Sequence, residues 1–107
     1  MGGWLAPKGY NVKPSVRLNE NREAIRAAAA RNRTANPRVF GSVLRGDDRE
    51  DSDLDILVDA LPGTTLIDLG GLQEELVDLL GVKVDVRTPG DLPVKWRDQV
   101  VAEAMPV

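Results

Sequence analysis

Cysteine and histidine are both absent from the 107 residues of this chain. Without thiols there is no disulfide and no thiolate metal site, and without imidazole any metal must be held by oxygen. Ser-His and Cys-His nucleophile pairs and zinc chemistry are excluded with them. Long apolar runs are missing too, since no stretch approaches the ~20 apolar residues of a membrane span. The leading MGGWLAPKGY has neither an apolar core nor a cleavage pattern, and Ala6 stands where a myristoylation signal has Ser or Thr. A cytoplasmic protein is expected. No internal repeat and no low-complexity segment breaks the chain.

What is present fits one globular domain: 42% of residues are hydrophobic and 29% charged. One modest core can be built from that, and a second domain cannot. The net charge of -3 is unevenly spread. Residues 1–46 carry nine Lys or Arg against two Glu, a balance of +7, and residues 47–107 carry five against fifteen, a balance of -10. A basic first half can signal nucleic acid, but the acidic half repels a long polyanion unless metals neutralise it. A basic helix packed beside an acidic sheet edge and helix is the simpler reading, and direct nucleic-acid binding is not expected.

The informative stretch is FGSVLRGDDREDSDLDILVDA, Phe40 to Ala60. From Ser52 to Asp59 polar and apolar residues alternate, placing Leu54, Ile56 and Val58 on one face and Asp53, Asp55, Leu57 and Asp59 on the other, as in a half-buried strand. Asp53 and Asp55 then point the same way, roughly 7 Å apart at about 3.3 Å per residue. Two ionised carboxylates so placed call for a cation, and oxygen ligands suit Mg²⁺ or Mn²⁺. Upstream, Pro37–Phe40 reads as a short strand entering Gly41-Ser42, followed by about one turn of helix through Gly46. Glycine lets the backbone approach a ligand, and the amides at a helix start, with the Ser42 hydroxyl, suit phosphate oxygens.

Taken together, Gly41-Ser42, ten intervening residues, Asp53-Leu54-Asp55 and the later GVKVDVRTP resemble the minimal nucleotidyltransferases of the DNA polymerase β superfamily, over roughly Ala24 to Ala104. The resemblance implies an α/β (α+β) domain: a small mixed β-sheet with helices on one face, as in the polymerase β palm. It implies that Asp53 and Asp55 hold two Mg²⁺ ions and that Asp85 binds the metal that activates the acceptor. Gly41 and Ser42 would hold the β and γ phosphates of ATP. Asp85 alone would read as a salt-bridged surface aspartate between Lys83 and Arg87; beside the first motif it reads as the third carboxylate. Related enzymes that modify small molecules or RNA carry an extra acceptor-binding domain, for which this chain has no residues. The resemblance therefore implies a partner protein, a HEPN-domain toxin whose tyrosine is adenylylated, with this chain as antitoxin in a hetero-oligomer. An antitoxin acting by binding alone, or a subunit of a small-molecule transferase, are the alternatives.

Along the rest of the chain, residues 1–18 read as an irregular arm containing Trp4 and Tyr10, and residues 19–107 as the domain. A helix is expected from Asn19, its N-cap, to about Arg33, with Ile25, Ala28 and Ala29 buried and Asn36-Pro37 ending it. After a turn at Leu61-Pro62-Gly63, the leucines from Leu66 to Leu80 recur at helical spacing; Gly70-Gly71 weakens the first part, so the helix could begin only at Gly71, and Gly81 caps it. Val82 to Arg87 alternates as a strand. A last helix opens at Pro89-Gly90-Asp91, with Trp96 as a core anchor, and stops at Met105-Pro106. Arg45 and Arg49 stand beside the phosphate seat but serve the acidic run Asp47, Asp48, Glu50 and Asp51 equally well, and that run reads as a solvated loop.

Overall fold

The computed structural model describes residues 12–107. Trp4, Tyr10 and most of the expected arm lie outside them. The described chain runs α1 (Pro14–Glu20), α2 (Arg22–Arg31), β1 (Thr34–Phe40), α3 (Gly41–Arg45), β2 (Leu54–Ala60), α4 (Leu66–Leu80), β3 (Val84–Arg87), a 3-10 turn (Pro89–Asp91), α5 (Val94–Glu103) and β4 (Met105–Pro106). The four strands form one mixed sheet in the order β3-β2-β1-β4. β1 is antiparallel to β2 and β4, while β2 and β3 are parallel and joined through α4.

The alternation read from the sequence orients the sheet. Leu54, Ile56 and Val58 turn to one face and join Ile25, Ala28, Ala29, Leu72, Leu76 and Leu80 in a single core. Each leucine buried there contributes about 1.5–3 kcal/mol. The opposite face of β2 carries Asp55 and Asp59, with Leu57 buried between them. It buries apart from the main core, as does Leu92, where the 3-10 turn meets β2.

Several expectations are corrected. The first helix is two: Asn21 Nδ2 donates to the Arg17 carbonyl, and its own backbone (φ -132, ψ 24) breaks the run and starts α2. Pro14 at the first turn of α1 loses no helical hydrogen bond, and Pro14 and Leu18 are buried, so residues 14–18 are packed helix and not irregular arm. Asn36-Pro37 does not end a helix. α2 stops at Arg31, and Asn36, in the left-handed region at φ 54, sits in an irregularity of β1 between Ala35 and Arg38. α4 begins at Leu66, because Thr65 and Asp68 form a reciprocal capping box; Gly70 and Gly71 are interior, and Leu66 is exposed. Trp96 is 52% exposed and no core anchor, since α5 buries none of its residues. β4 had no periodicity to announce it, with only two residues. Among the described residues no helix is long and apolar enough to cross a membrane.

Candidate functional site

β1 delivers the Gly-Ser turn. Phe40 is still extended (φ -140, ψ -175), and Gly41 then takes φ +74, which opens α3. Phe40 is paired with Asp55 across the sheet. The two segments lie so close that a Cβ on Gly41 would overlap the Asp55 carboxylate. Glycine is required here twice, for the dihedral and for the space. α3 ends at Gly46, again left-handed at φ 77, and the Asp47 amide donates back to the Ser42 carbonyl at 3.1 Å.

The carboxylates come from β2 and β3. Asp55 and Asp85 are Cα partners in the parallel register and so share a face. Asp53 is exposed one residue before β2 begins. Burial first, then the charges of Asp85 and Asp53, raise the Asp55 pKa from 3.8 to about 6, against the opposing pull of Arg87 and Arg45. Arg87 Nε donates to Asp85 Oδ2 at 3.0 Å. Among the described residues no three acidic side chains are already gathered as a metal-binding cluster. The donor chemistry nevertheless fits a hard divalent cation: the atoms are all carboxylate oxygen, and a cation beside them would offset both the burial and the carboxylate repulsion that raise the Asp55 pKa. Asp85 would have to exchange Arg87 for it.

Of the expected residues, the fold thus brings Gly41, Asp55 and Asp85 together, with Ser42 beside Gly41 and Asp53 close enough to influence Asp55. A cleft of about 270 Å³ opens next to the turn, lined by Phe40, Gly41, Leu44, Arg45, Val100 and Glu103, so α5 flanks the site. Arg45 makes an exposed pair with Asp47 at 3.4 Å. Two residues escaped the sequence reading. Arg38 is buried and pairs with Asp59 at 3.1 Å, which holds the Asp59 carboxyl below its ordinary pKa. Asp48, expected in a solvated loop, is only 6% exposed and accepts the Ser15 amide at 2.9 Å. Acidic neighbours of the same kind hide it in the sequence, and its partner is 33 positions away.

Among known proteins, the model of the nucleotidyltransferase domain family matches residues 22–105 of the chain. The chain is 34% identical over 92 residues to a Methanocaldococcus jannaschii protein named as a protein adenylyltransferase, covering 86% of this chain and 99% of that one. A solved structure described as a minimal nucleotidyltransferase superposes with a TM-score of 0.78 at 45% identity, over 87% of this chain and 95% of the other. A toxin-antitoxin crystal structure with AMP-PNP superposes with a TM-score of 0.68 at 25% identity, over 80% of this chain and 71% of that one.

Proposed function

The chain belongs to the nucleotidyltransferase domain family, and from that premise we propose that it transfers AMP from ATP to a hydroxyl of a partner toxin, acting as the antitoxin. The observation that carries this reading is the contact of the Gly41 turn with Asp55, itself in register with Asp85. On this reading a phosphate seat and a paired-carboxylate face meet there, on adjacent strands.

In this mechanism Gly41 and Ser42 hold the β and γ phosphates through backbone amides and the hydroxyl. Asp53 and Asp55 would hold two Mg²⁺ ions, with Asp85 on the acceptor side. Divalent ions held there would supply charge neutralisation to the transfer step. Asp85 orients the acceptor hydroxyl and takes its proton as the oxygen bonds to the α-phosphorus. The bond to the β-phosphate oxygen breaks, and pyrophosphate departs from the Gly41-Ser42 seat. Arg87, released from Asp85, offsets negative charge at the same face.

The toxin–antitoxin neighbour with an ATP analogue supports both the nucleotide and the kind of partner. We take the partner to be a HEPN-domain protein, the acceptor to be a tyrosine, and the setting to be the cytoplasm, where ATP is available. Incubation with labelled ATP, Mg²⁺ and the toxin encoded beside the gene tests the reading. Label on a partner tyrosine, lost in Asp53→Asn with Asp55→Asn, is the expected result. Neutralisation that survives that double substitution would mean the chain acts by binding alone, and label on a small molecule would make it a transferase subunit.

A further inference from the structure

The segment between Ser42 and Asp53 separates the two halves of the site and is anchored at several points along its length. At one end the Asp47 amide donates to the Ser42 carbonyl at 3.1 Å. At the other a tight turn is closed twice, by the Ser52 amide on the Arg49 carbonyl at 3.0 Å and by the Arg49 amide on Ser52 Oγ at 2.8 Å. Beyond it the Leu54 amide donates to the Lys83 carbonyl at 2.8 Å, fixing the start of β2 beside β3. Between these fastenings stands Asp48, a buried residue whose carboxylate accepts the Ser15 amide in the first turn of α1.

Helix first-turn amides have no partner within the helix, and a carboxylate there satisfies one of them. Buried carboxylates without such a partner are costly. α1 is itself fixed to the domain by buried Pro14 and Leu18. The loop is therefore tied to a packed element, and not only to itself.

We propose that Asp48 is a positioning residue: by tying the Ser42–Asp53 loop to α1, it sets where Asp53 stands relative to the Gly41-Ser42 turn. Asp48 touches no reactant. It fixes the spacing between the phosphate seat and the carboxylates, to which rates are sensitive at about the 1 Å level. The kinetic consequence rests on the proposed transferase reading, while the tethering itself does not.

Two readouts keep these apart. In the free protein, Asp48→Ala is expected to raise amide hydrogen exchange across residues 49–54 by about tenfold, with α4 and its core contacts unchanged. In the transfer assay the same variant should lose kcat by about 10- to 100-fold with KM for ATP within about twofold. Asp48→Asn keeps an acceptor oxygen and should restore most of the rate, whereas Glu50→Gln in the same loop should change neither readout. Should Asp48→Ala not fold, Asp48→Glu keeps the helix partner but lengthens the tether, and is expected to fold and still lose kcat. Wild-type exchange in residues 49–54, or a lowered melting temperature with kcat per folded molecule unchanged, overturns the proposal. Absence of transfer by the wild type removes the transferase reading, and the exchange experiment then decides the tether alone.

Discussion

Asp55 shows most directly the tension between stability and chemistry in this protein. Its raised pKa means that the folded chain keeps a proton which the unfolded chain has released, between 3.8 and about 6. That group therefore favours folding at low pH, and its contribution is lost as pH rises through about 6. Asp59 and Glu75, with pKa values lowered by Arg38 and Arg31, act in the opposite sense and lose their contribution as pH falls. In metal-free buffer, Asp55→Asn should melt above wild type at pH 7 to 8, and the gap should close towards pH 4; thermal melts across that range check it. The same variant should abolish Mg²⁺-dependent nucleotide binding. In the wild type, Mg²⁺ affinity should weaken about tenfold per pH unit below the Asp55 pKa, measurable by calorimetric titration. Gly41→Ala meets both a left-handed φ and the Asp55 carboxylate. A loss of transfer rate of about 100-fold is expected from such a displacement, and wild-type kinetics would contradict the account of the turn.

Among the elements, α4 is the one whose local chemistry and role part company. Gly70 is interior to the helix, and a Cβ added there would meet nothing within 4 Å beyond the helix itself. Gly70→Ala should stabilise the protein by about 0.5–1 kcal/mol, seen as a rise in denaturation midpoint, with transfer unchanged. Gly71 differs, since a Cβ there would stand 3.2 Å from Asn32 Oδ1, where the end of α2 passes close to α4. Thr65→Ala removes one side of the capping box and should cost about 1 kcal/mol. α5, by contrast, buries none of its residues, so its Val100 and Glu103 matter for the cleft and little for the core.

At the scale of the whole molecule the basic first half and acidic second half are joined by cross-links. Arg31 pairs with Glu75 between α2 and α4, and Arg38 with Asp59 between β1 and β2. The hydrophobic cluster carries the stability, and Leu76→Ala at its centre should cost about 2–5 kcal/mol in denaturant unfolding. The sequence by itself determined the strands that bear Asp55 and Asp85 and the helical spacing of the α4 leucines. Each is a matter of period two or period 3.6, which neighbouring residues suffice to set. The face those carboxylates share, and the lack of room for a side chain at position 41, come from the β1–β2–β3 register. Tertiary structure alone decided that Asp48 is buried while Asp47 and Asp51 are exposed, that Asn36-Pro37 lies within β1, that Trp96 faces outward, and that Met105-Pro106 pairs with β1. Those outcomes depend on partners tens of residues away, whose proximity is a property of the closed chain and leaves no periodic mark on it.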